Sequence, residues 1–242
     1  MSTQATKPLG GHYPFSCFVT GTDTEIGKTL SSAALLHAWA GNGYQVVGMK
    51  PVAAGAQWRD GAWRNEDTDM LVAAGNVEAP YEWHTPYLWR EPMAPHIAAA
   101  QAGAEMRLDV ILAAYERLAE KAQAVVVEGV GGFRVPLSDR LDTADMAVAL
   151  GLPVMLVVGV KLGCISHALL TVEAIRSRGL FLAGWVANQV ETGMLAAEAN
   201  VQALRERIPA PFLGHVPRLA QPTAEQAAAH LGWPAQEGGM AL

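Results

Sequence analysis

Five short runs of the chain, residues 15–20, 45–49, 124–127, 154–158 and 182–187, have β character, and most of them are nearly continuous in apolar residues instead of alternating. A strand with one wet face alternates, so continuous runs suit strands covered on both faces of a parallel sheet. Between them lie segments with helical spacing, residues 29–39, 108–121, 166–178 and 194–207. Alternating strand and helix predicts an α/β fold: a doubly wound, mainly parallel sheet with helices on both faces. Nothing marks a linker between halves. The 242 residues are therefore read as a loose N-terminal tail, 1–14, and one domain, 15–242. Residues 55–68, polar and rich in Gly, Trp and Arg, read as a loop over a site.

In such sheets ligands bind at the carboxyl ends of the strands. There the first strand runs into Gly21-Thr22-Asp23-Thr24-Glu25-Ile26-Gly27-Lys28-Thr29, followed at once by an amphipathic helix. The nonapeptide is read as a match to the phosphate-cradle pattern G-x-x-x-x-G-K-[ST]. Glycines let backbone N–H groups curl around phosphate oxygens, and the helix directs its positive end at the anion. Lys28 adds a cation at the β- and γ-phosphates, and the Thr29 hydroxyl can ligate Mg²⁺. The plainer alternative is a glycine turn before a helix, but the strand before and the helix after favour a nucleotide.

Three more residues are candidates. Glu128 closes the buried run Val125-Val126-Val127, from which a carboxylate reaches a P-loop magnesium; otherwise it is a structural acid bonded to the glycine-rich turn after it. Lys50 is held extended before Pro51 and points across the strand ends, unless it is simply a solvated lysine. Asp67 is a metal candidate, a helix N-cap or a solvated loop acid; its spacing does not separate these. The segment 162–167 joins a strand to a helix, so its N–H groups can receive a substrate carboxylate. Cys164 has no activating base nearby and reads as a small apolar residue. The seven histidines show no metal-ligand spacing.

Composition excludes several classes. The formal charge is −6 and the basic residues are scattered, which argues against nucleic acid and anionic membranes. The longest apolar stretches, such as 153–160, fall short of the roughly 18 residues a membrane span needs. The first fourteen residues carry no signal-like apolar core. Two cysteines, Cys17 and Cys164, fit a reducing compartment, so a soluble, cytoplasmic protein is expected.

Taken together, Gly21 to Thr29, Lys50-Pro51-Val52-Ala53-Ala54-Gly55, Val127-Glu128-Gly129-Val130-Gly131-Gly132, Gly159-Val160-Lys161-Leu162-Gly163-Cys164-Ile165 and Trp185-Val186-Ala187-Asn188 resemble the dethiobiotin synthetase family in order and spacing. The likeness runs from about residue 15 to about residue 220. It implies a P-loop NTPase-like fold and ATP-dependent closure of a ureido ring on 7,8-diaminononanoate with CO₂, giving dethiobiotin, ADP and phosphate. By matching position, Lys28 and Lys50 are the catalytic cations, and Thr29, Asp67 and Glu128 hold Mg²⁺. The nucleotide lies against Thr24, Glu25, Ile26, Gly27, Leu30, Gly129, Val130, Gly131, Asn188, Gln189, Pro217, Arg218 and Leu219, with Asn188 reading the adenine edge. The diamine meets Ala54 and, across a homodimer interface, Gly163, Cys164, Ile165 and Ser166. Ala54 stands where the family commonly has a Ser or Thr hydroxyl, which removes one hydrogen bond to the diamine. Ser166 replaces an Asn of some relatives, and Val130 the alanine of a more usual Gly-Ala-Gly turn.

Two rivals remain at this stage. An ATP-dependent amidotransferase would need a glutaminase-like domain, for which the chain has no room. A switch or partitioning ATPase often carries an extra lysine early in its P-loop, where this chain has Thr22 and Asp23.

Overall fold

The structure is a computed structural model that describes residues 16–232. The first third of the chain forms β1 (Cys17–Gly21), α1 (Lys28–Gly41), β2 (Val46–Met49), β3 (Val52–Ala53), β4 (Gln57–Arg59), β5 (Ala62–Arg64), α2 (Glu66–Ala74) and α3 (Tyr81–His84). The middle forms β6 (Tyr87–Leu88), α4 (Pro95–Gln101), α5 (Leu108–Ala119), β7 (Ala124–Glu128) and α6 (Thr143–Leu150). The remainder forms β8 (Val154–Val160), α7 (Cys164–Ser177), β9 (Leu182–Gln189), α8 (Ala197–Arg205), β10 (Phe212–Val216) and α9 (Ala224–Ala228). The tail 1–14, the first residue of the first predicted strand and residues 233–242 lie outside the described residues.

Among the described residues the main sheet has six strands in the order β10-β9-β8-β1-β7-β2, with every neighbouring pair parallel. This is the expected doubly wound sheet, and its continuous apolar runs have a direct cause. Successive side chains point to opposite faces, and both faces are covered. Phe18, Val47, Met49, Val125, Val127, Leu156 and Val158 enter one core with α5, α6 and α7. Their neighbours Cys17, Val19, Val46, Val126 and Val157 enter a second with Leu35 and Leu36 of α1 and Leu71 of α2. A third cluster joins Val186 and Val216 to α1 and α9. Full burial pushes the Cys17 thiol up to about 12, so it stays protonated and inert.

Both sheet edges are occupied. At β2, His84 Nδ1 donates to Gly48 O at 2.7 Å, Asn76 Oδ1 accepts from Val46 N at 2.8 Å, and Lys50 N donates to His84 O at 2.7 Å. At β10, Gly214 bridges Leu231, and Gly232 N donates to Leu213 O at 2.6 Å.

Several elements were not expected, β4, β5, β10 and α6 among them. Residues 55–68 are not simply a loop, because β4 and β5 pair there as an antiparallel hairpin. Asp60 and Gly61, with φ of 50° and 79°, make the D-G turn that the twist of a two-residue hairpin requires. β10 went unread because Phe212–Val216 is short and broken by Gly214 at φ 145°. Helix α6 also went unread, though its start is a capping box: Asp142 accepts from Asp145 N at 3.0 Å and Asp145 accepts from Asp142 N at 2.9 Å.

Arg134 also bonds Asp142. Burial alone would raise the Asp142 pKa, but the Asp145 N–H and Arg134 outweigh it and hold the carboxyl below its ordinary value. Asp142→Ala is expected to lower stability by about 1 kcal/mol at neutral pH. A carboxyl depressed in the folded state contributes above its unfolded pKa and loses that contribution as pH falls through the folded one. The deficit should therefore shrink in acid, as paired thermal melts at neutral and acidic pH would show.

Candidate functional site

β1 lies at the centre of the sheet, between β7 and β8, and the phosphate-cradle segment leaves its carboxyl end. The pattern match needs one correction. Five residues separate Gly21 from Gly27, one more than G-x-x-x-x-G-K-[ST] allows, so Thr22 stands at the first-glycine position. Thr22 is held by β8: its N–H donates to Val157 O at 3.1 Å and its hydroxyl accepts from Gly159 N at 3.3 Å. The left-handed turns fall instead on Glu25, at φ 56°, and Gly27, at φ 86°. A non-glycine residue there stores local strain, and the neighbouring contacts hold it in place. Ile26 is buried against Gly159, where a Cβ would come within 2.5 Å of its Cγ2. The Ile26 carbonyl accepts the Asn188 side-chain amide at 2.8 Å.

Lys28 and Thr29 begin α1. Lys28 is 5% exposed, and its Nζ donates to Asp23 O at 2.7 Å. Burial pushes its pKa down to about 8, against the opposing pull of Glu128. Lys50 follows β2 and is only 4% exposed, not the solvated lysine of the plainer reading. Its Nζ donates to Glu128 Oε1 at 2.5 Å and Asp67 Oδ2 at 2.9 Å. Burial would lower its pKa, but these two carboxylates outweigh it and raise it, so the ammonium is kept charged. Asp67 is the mirror case. Burial would raise its carboxyl, and Lys50 holds it below the usual range.

Asp67 is not the N-cap that spacing allowed. The cap of α2 is Asn65, whose side chain accepts from Thr68 N and whose Nδ2 donates to Ala54 O at 3.0 Å. Tyr81 Oη accepts from Asn65 N at 2.9 Å. Asn65 thus ties the helix start carrying Asp67 to the strand end carrying Ala54. It was missed, although an Asn directly before Glu66-Asp67-Thr68 is itself an N-cap signal.

One cavity of about 840 Å³ gathers Thr24, Glu25, Gly27, Lys28, Thr29, Lys50, Ala54, Asp67, Glu128, Val130 and Gly131. The segment Pro92-Met93-Ala94-Pro95 lines it as well. Ile26 lies in the sheet core, and Leu30 of α1 packs with Leu219 on the cluster of Val186, Val216 and Ala227. Gly129 N donates to Val19 O at 2.9 Å. Asn188 pairs in register with Val216, so Gln189 and the Pro217, Arg218, Leu219 segment leave neighbouring strand ends beside the cradle. Arg218 donates to Val190 O at 3.3 Å. Gly163, Cys164, Ile165 and Ser166 form the start of α7 and do not line this cavity. Cys164 is 1% exposed, as expected of a small apolar residue.

The residues suit Mg²⁺. The Thr29 hydroxyl donates to Glu128 Oε1 at 2.9 Å, which puts a hydroxyl and a carboxylate together, with Asp67 joined to them through Lys50. Glu128 is fully buried, and its Oε2 has no hydrogen-bond partner among the described residues. A buried carboxylate oxygen left bare is costly, and a bound cation would satisfy it. Mg²⁺ needs only one or two carboxylates and completes its shell with water and phosphate oxygens. Glu128→Gln is expected to raise the Mg²⁺ concentration that supports nucleotide binding by about tenfold or more. An unchanged magnesium titration would make Glu128 a purely structural acid.

Comparison with known proteins agrees with this geometry. Among solved structures, the chain is similar to the cell division protein FtsY of Thermotoga maritima, with a TM-score of 0.52, 14% identity, and coverage of 93% of this chain and 68% of that one. It is also similar to a chain of the MinC:MinD cell division protein complex of Aquifex aeolicus, with a TM-score of 0.54, 13% identity, and coverage of 89% and 85%. At such identity these likenesses speak for the fold. A family model described as an AAA domain matches residues 16–226, a span holding the cradle, Lys50, Asp67, Glu128 and Asn188. The chain belongs to that family and is a nucleotide-binding domain of the P-loop NTPase type.

Proposed function

We propose that the chain is a dethiobiotin synthetase, an ATP-dependent cyclo-ligase of biotin biosynthesis acting on 7,8-diaminononanoate and CO₂. The observation that carries this reading is Lys50. A buried ammonium from a different strand end shares Glu128 with the P-loop Thr29, so two lysines face one reacting centre. Hydrolysis in a P-loop site needs the phosphate-binding lysine, whereas transfer to a carbamate brings a second anion that wants a second cation. The family identified above includes dethiobiotin synthetase, and three of the motifs that resemble it, Gly21 to Thr29, Lys50 to Gly55 and Val127 to Gly132, contribute residues to one cavity.

In this reading one substrate amine attacks CO₂ and loses a proton, forming a carbamate. A carbamate oxygen then attacks the γ-phosphorus as the bond to the ADP oxygen breaks, giving a carbamic-phosphoric anhydride. The neighbouring amine attacks the carbonyl carbon, phosphate leaves, and the ring closes. Lys28 offers charge to the β- and γ-phosphates, and Lys50 to the carbamate and the moving phosphoryl group, where fixed charge does most of the work. Mg²⁺ held by Thr29, Asp67 and Glu128 would supply further charge to the phosphates. Pro92, Met93 and Pro95 with Val130 offer apolar contact to an aliphatic chain. Ala54 offers no hydroxyl, so one contact to the diamine is missing. Asn188 would read adenine through the face not bonded to Ile26.

The substrate carboxylate would be received by Gly163–Ser166 of a second copy, in a homodimer. Leu162 and Leu170, 86% and 61% exposed, are apolar surface that such a copy would cover. Sedimentation of the intact protein tests this, with a monomer at working concentration counting against it. Among the described residues no helix is long and apolar enough to cross a membrane.

The deciding experiment measures phosphate release with ATP and Mg²⁺, with bicarbonate and the diamine each omitted in turn. Release that needs both, with dethiobiotin seen by mass, establishes the reading. Slow hydrolysis indifferent to the diamine would transfer the site to another substrate or to a switch ATPase.

A further inference from the structure

Asp23 is an acid inside a loop built to receive phosphate, one position before the cavity-lining Thr24. A free carboxylate there would repel a polyphosphate and compete with it for Lys28, whose ammonium already reaches the Asp23 carbonyl. The structure shows how that charge is managed. Asp23 Oδ1 accepts from Thr24 N at 2.8 Å, and Oδ2 accepts from Lys161 Nζ at 2.6 Å. Lys161 comes from the turn between β8 and α7, and that turn is closed by Cys164 N donating to Lys161 O at 3.0 Å. His167, in the first turn of α7, and Lys28 also bear on Asp23 electrostatically. Val157 and Gly159 of β8 meanwhile bond the N–H and the hydroxyl of Thr22, so β8 and the turn after it hold the cradle at successive residues.

We propose that Lys161 is a positioning residue for the phosphate cradle: it neutralises Asp23 and holds that carboxylate aside against the β8–α7 turn. The cradle then presents Lys28 and N–H groups to the phosphates. The same pair joins the cradle to the turn that leads into Gly163–Ser166. An early P-loop position that carries an acid here is balanced by a lysine supplied from another strand end.

The inference rests on nucleotide binding and not on the diamine reaction, so its test stands apart from that of the proposed function. ATP with Mg²⁺ would be titrated by calorimetry into the intact chain as parent, Lys161→Met, Lys161→Arg, Asp23→Asn and the Asp23→Asn/Lys161→Met double variant, each checked by thermal melting. Lys161→Met is expected to weaken ATP binding about tenfold by leaving Asp23 uncompensated, and Lys161→Arg to stay within about threefold of parent. The double variant should recover to within about threefold, because the repelling charge has gone with its partner. A merely structural bridge would leave the double variant as weak as Lys161→Met, and that result would overturn the proposal. So would parent-like binding by Lys161→Met, or a tenfold loss in Asp23→Asn, which removes only the charge that Lys161 is said to cancel.

Discussion

Lys50→Ala is expected to lower product formation by about a thousandfold or more while nucleotide binding changes by only a few fold. The asymmetry follows from the placement of the ammonium. Lys50 comes from the end of β2 and not from the cradle, and is bonded to Glu128 and Asp67, so in the proposed reaction its charge would act on the group being transferred and not on the ADP portion. The variant also leaves the fully buried Glu128 with the Thr29 hydroxyl as its polar partner, a loss that can cost ~3–5 kcal/mol of stability. Melting curves would therefore accompany the kinetics. The Lys50→Ala/Glu128→Gln pair, which removes both charges, should regain stability but not activity. Full turnover in a well-folded Lys50→Ala protein would sink the proposed chemistry.

The second large effect is expected at Gly27. Its φ of 86° is one that side chains rarely adopt, and a Cβ there would lie 2.2 Å from Asn188 Nδ2. Gly27→Ala must therefore strain the backbone and expel the Asn188 amide, breaking its bond to Ile26 O. ATP affinity should fall by tenfold or more, since the strain costs ~1–2 kcal/mol before the clash is counted. Adding Asn188→Ala relieves the clash but not the dihedral, so the double variant should recover only in part. Complete recovery would show that contact, and not backbone conformation, sets the cradle.

Much of this architecture was legible because burial on both faces leaves a plain trace. Val125-Val126-Val127 and Val154 to Val158 are apolar at every step, and each became an interior strand. Lys50 and Glu128 stood out as candidates for the same reason, since each is the polar residue at the end of a buried run, 46–49 and 124–127. Side-chain logic that depends on three dimensions was not legible. Asp23 and Lys161 are 138 residues apart, and no periodicity joins them. The extra residue of the cradle, the cap role of Asn65 and the turn at Asp60-Gly61 carry local signals, yet each was overlooked beside a louder neighbouring motif.

The occupied sheet edges limit how this chain can assemble. An exposed outer strand is a template on which a second molecule can add strands. Here His84 and Asn76 spend the outward groups of β2, while Leu231 and Gly232 do the same at β10. Two copies cannot merge into one continuous twelve-stranded array without first stripping these plugs. Any symmetric pair must instead form through the helical layers or the loops above the strand ends, the same region in which the ligands are expected to bind, so assembly and substrate capture would draw on neighbouring surfaces.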